Sequence, residues 1–449
     1  MKSRKLATVA RFLRDNLPRS FWQPLPDPRD PRGCRYAWTG LLNLLMLGLC
    51  VAAPTLRDVE RLGRQLVVGR SFGLTGTPSD TLLDQVVRRL VPGDLRKVLR
   101  AQVHGLLRSK RMEVDPAIGI SLVAIDGKCL GADPVRKHPC STAMTPAKRS
   151  PGARRSAKGS KKVSSGGENW VVPDMEPGPD GQVHLIKVLR AVHVASAVKP
   201  ALDQFILPAG RGESPFLPAF IRDLLAAYGR SVVECVSLDA AFSSQENLAW
   251  LATMWVNYIV AIKGNAGGLC RTLLKKMGGE GEDVPPGGWL AETVEKRNGA
   301  LHRRRFGRLV EHGDLWGGDY EQVWRVRHTV ERAGAITVQD DRLFITNLPA
   351  SRLTAAQSLA AVRAHWAIEN DSNWSLDVAW REDTSAWVKM GVSRETLGLL
   401  RLLAYNLVRV LRHRVLKGPK KGQIPYRELF ERIRDSLVSP AVLSTAGCL

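Results

Sequence analysis

Three patterns predict an α/β fold with helical regions on both flanks and a strand-rich insertion. Helical spacing of apolar residues dominates residues 1–117 and returns after Thr354. Between them, residues 118–264 alternate short apolar β-type runs with helical segments, the pattern of a sheet covered by helices. Residues 265–348 carry the alternation of antiparallel strands. The expected units are thus a helical region, 1–117; the first part of an α/β core, 118–264; a β-rich insertion, 265–348; a helical part of the core, 349–415; and a basic tail, 416–449.

The elements follow in chain order. Leu6 to Leu17 has helical spacing and stops at Pro18; a Pro- and Arg-rich connector runs from Pro24 to Pro31. The apolar stretch 39–53 reads as a buried helix, because a membrane span needs about 20 residues. Thr55 to Val67 sets Leu56, Val59, Leu62 and Leu66 on one face. Ser79 is an N-cap for the helix carrying Leu82, Leu83, Val86, Val87 and Leu90, decorated by Arg88, Arg89, Arg96 and Lys97. Short basic helices of this kind suit DNA binding, and a helical dimerisation region would look the same.

At Ile118 the period changes, and the run Ile118–Ile125 ends in Asp126. Residues 134–167 hold nine Lys/Arg and no acid, which predicts a mobile basic loop. Strands His184–Val194 and Val232–Leu238, the second ending in Asp239, enclose a helix near Glu213–Tyr228. A helix over Ser243–Val256 and a strand over Tyr258–Lys263 come next. After the Gly-rich stretch 264–288, four strands fill residues 289–348. The last helices are one carrying Trp366, Glu369 and Trp374 and one from Ser393 to Val415; residues 417–421 read as a basic loop.

Composition narrows the partner. The 449 residues are 44% hydrophobic and 24% charged, which excludes a disordered chain and a multi-span membrane protein. With 66 Lys+Arg against 43 Asp+Glu the net charge is +23, a surplus whose usual partner is a phosphate backbone. The seven Cys form no C-x-x-C pair, which argues against a disulfide framework or a zinc ribbon. No targeting segment is evident, and a cytoplasmic protein with reduced thiols is expected.

Three acids stand out. Asp126 and Asp239 each end an apolar strand, where open α/β sheets build their sites. The ordinary alternative is that each caps the next turn. Hard divalent cations want oxygen ligands, and a third acid is then expected. Glu369 is the best placed: Trp366, Glu369, Asn370, Asn373 and Asp377 share one face at helical spacing. Asp377, Glu382 and Asp383 stay open as alternatives on spacing alone.

These segments together resemble a family. Ala124-Ile-Asp126-Gly-Lys128 resembles the first-Asp motif of bacterial insertion-sequence DDE transposases, and more narrowly their H-repeat-associated branch. Val236-Ser-Leu-Asp239-Ala240, with Gln245 and Tyr258 to Asn265, is similar to the second-Asp block. Arg363-Ala-His365-Trp366-Ala-Ile368-Glu369-Asn370, Asn373-Trp374-Ser-Leu376-Asp377-Val378 and Glu382-Asp383 resemble the third-carboxylate helix. The likeness spans roughly 40–415. Phe242 stands near where the family usually has His, and Asp371-Ser372-Asn373 where Leu-His is typical.

The resemblance implies an RNase H-like mixed-sheet core with a β-rich insertion. It implies that Asp126, Asp239 and Glu369 bind two Mg²⁺ or Mn²⁺ ions for DNA strand cleavage and strand transfer. Double-stranded DNA is the implied partner, as terminal inverted repeats and target, with a homodimer or larger assembly in a nucleoid-associated complex. Lys128, Arg303, Arg304, Arg305 and Arg363 are the further DNA-contact candidates. A catalytically inactive DNA-binding protein and a metal-dependent nuclease of the same fold are the alternatives.

Overall fold

A computed structural model describes residues 3–67, 69–132, 142–144, 160–165, 168–173, 183–263, 268–278, 284–313, 320–382, 387, 392–416 and 423–440. Five helices open the chain: α1 (Ser3–Asn16), α2 (Trp38–Cys50), α3 (Leu56–Gln65), α4 (Asp80–Arg89) and α5 (Pro92–Arg108). Thr55 and Ser79 cap α3 and α4, accepting from Asp58 N (3.1 Å) and Leu82 N (3.3 Å). The basic helix expected from Ser79 onward divides into α4 and α5. Pro92 drives the residue before it out of helical backbone, and Val91 is extended.

Helix α2 is apolar on every side and buried on every side. Its one amide, Asn43, is satisfied: Oδ1 accepts from Trp22 Nε1 (2.7 Å) and Nδ2 donates to the carbonyls of Leu17 and Phe72. Among the described residues no helix is long and apolar enough to cross a membrane.

The sheet begins with β1 (Leu122–Ala132), β2 (Thr142–Met144), β3 (Ser160–Ser165), β4 (Glu168–Pro173), β5 (Val183–His193) and β6 (Ala201–Ile206). Helix α6 (Leu217–Tyr228), β7 (Cys235–Leu238), α7 (Gln245–Thr253) and β8 (Asn257–Ile262) follow. The order β6-β5-β1-β7-β8 is that of an RNase H-like core. Its first three strands run antiparallel, and β1, β7 and β8 run parallel.

After α8 (Gly268–Lys276) come β9 (Ala291–Arg297), β10 (Ala300–Gly313), β11 (Tyr320–Arg332) and β12 (Ala335–Thr346). β12 pairs with β8, so the insertion continues the core sheet to ten strands. The chain then returns over the sheet through α9 (Ala355–His365), a π-helical turn (Ile368–Asn373), α10 (Trp374–Val378), α11 (Val392–Val410) and α12 (Tyr426–Val438). Helix α11 packs against α2, α4 and α5, joining the two helical regions.

Four further expectations change. β1 continues past Asp126 to Ala132, because its antiparallel partner β5 extends beyond the end of β7. The expected loop 134–167 contains β2, paired with β5, and β3, paired with β4; the rest of it lies outside the described residues. Val163, Trp170, Val171 and Val172 favour strands. The basic tail holds α12, which packs on α1 and α3 through an apolar stripe of Tyr426, Leu429, Phe430, Ile433 and Leu437. The stretch 417–421 lies outside the described residues. Finally, the helix carrying Glu369 is not one continuous face, because the π turn interrupts it.

Candidate active site

Strand register brings the first two acids together. Ile125 pairs with Leu238 in the parallel β1–β7 ladder. Asp126 is the next residue on β1 and Asp239 the first residue after β7, and adjacent strands run about 4.8 Å apart. Asp239 also caps the 3-10 turn that follows, accepting from Ala241 N at 2.8 Å.

The π turn delivers the third acid. Thr354 and Gln357 start α9 with a capping box. At its other end buried His365 hydrogen-bonds the Ser237 backbone on β7, and burial lowers its pKa to about 4, so it stays neutral. Ile368, Ser372 and Asn373 then turn inward, while Glu369 is exposed at the rim of the site. π turns interrupt helices preferentially at functional sites.

The electrostatics mark the site. Asp126 is pushed up to about 8 by loss of water, then by the charges of Asp239 and Glu369. Glu369 is also raised, by partial desolvation and by Asp239, with Lys263 and Arg342 opposing. Three acids thus crowd one another without an ion pair to Asp126 among the described residues.

The neighbouring acids behave differently. Asp371, in the same π turn, accepts from Lys199 Nζ at 2.7 Å. Asp377 pairs with Lys128. Glu382, only 2% exposed, binds Lys128 at 2.8 Å and Arg190 at 2.9 Å, and its pKa falls to about 2. Of the acids that spacing leaves open on this segment, Asp377 and Glu382 are held by cations, and Asp383 lies outside the described residues.

Lys128 is a correction. It was expected to face DNA, but it is 7% exposed and points inward between Asp377 and Glu382. The four arginines divide by strand alternation. Arg303 and Arg305 pair with Glu292 on one face of the insertion sheet. Arg304 lies on the other face and shares Glu295 with Arg363 of α9. The residues that sequence reasoning missed are Arg190, whose guanidinium donates to Asn373 and Glu382 beneath the site, and Gln204, whose Oε1 accepts from the same guanidinium. Only the β1–β5 register reveals that Arg190 stands opposite Asp126.

Among the described residues no three His, Cys, Asp or Glu side chains form a ready-made metal cage. The donor set still suits a hard cation. Mg²⁺ typically uses one or two carboxylates and completes its shell with water and substrate oxygens.

The sequence matches the family model for a transposase DDE domain over residues 175–407, just over half of the chain. No curated protein shows a significant sequence match. Among solved structures, the chain is similar to the piggyBac transposase in its synaptic complex with hairpin DNA. The TM-score is 0.40 at 11% identity, over 99% of this chain and 80% of that one, a likeness too loose to align individual residues.

Proposed function

The chain belongs to the transposase DDE-domain family, and on that premise we propose metal-dependent DNA cleavage and strand transfer at the ends of an insertion sequence, in the H-repeat-associated branch. Asp126, Asp239 and Glu369 would hold two Mg²⁺ or Mn²⁺ ions. Such a pair, when bound, activates the attacking oxygen and stabilises the leaving oxygen of a phosphodiester.

This chain's own residues set the stage for that chemistry. The pairing of Ile125 with Leu238 in the parallel β1–β7 ladder, one residue before each acid, supports a role for Asp126 and Asp239 as neighbours. The amide of Asn373 holds Asp126, donating to Oδ2 at 3.1 Å. Lys263 and Arg342 lower the charge around Glu369 without forming a salt bridge to it among the described residues. The charge of +23 suits double-stranded DNA, both inverted repeats and target, bound by a dimer or larger assembly.

One observation carries the reading: Asp239 and Glu369 add to the charge cost of Asp126, and Asp239 to that of Glu369, at one point of the fold, while Asp377 and Glu382 beside them are paired with cations. The test is cleavage and joining of duplexes bearing the gene's own flanking repeats, with and without Mg²⁺. Glu369→Gln is expected to abolish cleavage while DNA binding persists, and Asp377→Asn to keep measurable cleavage. Cutting that survives Glu369→Gln, or needs no divalent ion, removes this mechanism. Metal-dependent cutting without joining leaves a nuclease.

A further inference from the structure

Arg190 stands directly across from Asp126 in the β1–β5 ladder and is fully buried, yet no ion pair joins them. Its Nη2 donates instead to both oxygens of Glu382 (2.9 and 3.1 Å) and to Gln204 Oε1 (3.0 Å). Its Nη1 donates to Asn373 Oδ1 at 3.0 Å. Because that oxygen is taken by the guanidinium, the Asn373 NH₂ is the end that meets Asp126. A flipped amide would put a carbonyl against a carboxylate and an NH₂ against a cation. Lys128, two residues along β1 on the same face, is drawn to Glu382 and Asp377.

Two cations therefore lie on the Asp126 face of the sheet, and Glu382 binds both. If Glu382 were neutral, Asp126, which stands across the ladder and already feels the Arg190 charge, would be open to pairing with it. We propose that Glu382 and Asn373 are positioning residues for Asp126: Glu382 keeps Arg190 and Lys128 away from it, and Asn373 orients it without neutralising it. A carboxylate paired with arginine is a poor cation ligand, whereas one held by a neutral amide keeps its full charge. Partners of this kind around metal ligands change metal affinity or activity about 10–100-fold when removed. The proposal rests on Asp126 being a cation ligand.

The test measures Mn²⁺ binding to the DNA-free full-length protein by calorimetry, with DNA affinity and thermal unfolding recorded for each variant. Asn373→Ala and Glu382→Gln should each weaken Mn²⁺ binding about 10–100-fold while DNA affinity is kept. Removing Glu382 unbalances a buried pair, so the double variant Lys128→Met with Glu382→Gln, which drops one charge of each sign, is the control. It should bind Mn²⁺ more tightly than Glu382→Gln alone. If Asp126→Asn abolishes binding but Asn373→Ala and Glu382→Gln bind like the parent, the positioning role is overturned and the carboxylate site stands. If the parent binds no Mn²⁺, or Asp126→Asn binds it equally well, the carboxylate site falls and takes this inference with it.

Discussion

Asp126 and Glu382 are two carboxylates joined through Arg190 and Asn373, yet their protonation is driven in opposite directions. Burial opposes the charge on both. For Glu382 the charges of Arg190, Lys128 and Arg401 overcome that cost and hold the acid near 2. For Asp126 burial comes first and the charges of Asp239 and Glu369 add to it, outweighing the Gly127 backbone and the charge of Arg190, so the acid is lifted to about 8. Depth in the protein therefore does not separate a structural acid from a functional one; the sign of the surrounding charge does. One acid is neutralised by its neighbours, and the other carries an electrostatic cost that the proposed cation would offset.

The sharpest way to break this contrast is to neutralise each acid in turn. Glu382→Gln leaves Arg190 and Lys128 with an excess buried charge, and stability should fall by about 3–5 kcal/mol. Asp126→Asn removes a charge that the metal-free protein tolerates poorly. Its stability at mildly alkaline pH should stay level or rise. Urea unfolding of both variants without divalent ions measures the gap. Equal destabilisation would mean that the two acids do the same work.

The contrast also sets two pH limbs. Asp126 titrates near 3.8 when unfolded and about 8 when folded, so between those values the native state holds a proton that the unfolded state has lost. Its contribution is full below pH 3.8 and is lost as pH rises through about 8. Glu382 moves from 4.5 to about 2, so its contribution is present above pH 4.5 and is lost as pH falls through about 2. Thermal midpoints of the metal-free protein should decline on both sides of the mildly acidic range. Asp126→Asn should flatten the alkaline limb alone. Saturating Mg²⁺ should do the same to the parent, because a metal ligand must be deprotonated.

The sequence carried the first half of this contrast and almost none of the second. Asp126 and Asp239 were legible because each follows an apolar strand, and parallel strands bring equivalent positions side by side. Glu369 was legible as a residue but not as a geometry: spacing arguments assume 3.6 residues per turn, and a π turn breaks that count. The burial of Lys128 was illegible, since a lysine beside a candidate site normally faces water and its partners lie some 250 residues away. β6 (Ala201–Ile206) is hard to read because Asp203 and Gln204 break its apolar run. Helix α12 was there to be read in Tyr426, Leu429, Phe430 and Ile433, but the lysines of 417–421 set the character assigned to the whole tail.

The smallest expected effect asks whether the same sorting of charges extends to the insertion. Arg303 and Arg305 share Glu292 on one face of the sheet; Arg304 and Arg363 share Glu295 on the other. The second face gathers more cations: burial lowers the pKa of Arg304 first, and the charges of Arg363, Arg297 and Arg342 add to it, with Glu295 opposing. Arg342 also packs over the Trp366 ring at 4.4 Å and acts on Glu369. A DNA strand with its phosphodiester at the three carboxylates would therefore meet Arg304 and Arg363 before it met Arg303 or Arg305. Each phosphate contact releases counterions, so losing one should weaken DNA binding and flatten the log–log salt dependence by about 0.9. Arg304→Ala and Arg363→Ala should each do so, whereas Arg303→Ala and Arg305→Ala should leave the slope unchanged. Titrations of one duplex at several salt concentrations decide it. If the slope changes instead with Arg303 and Arg305, DNA follows the far face, and the positive band beside Glu369 serves packing rather than binding.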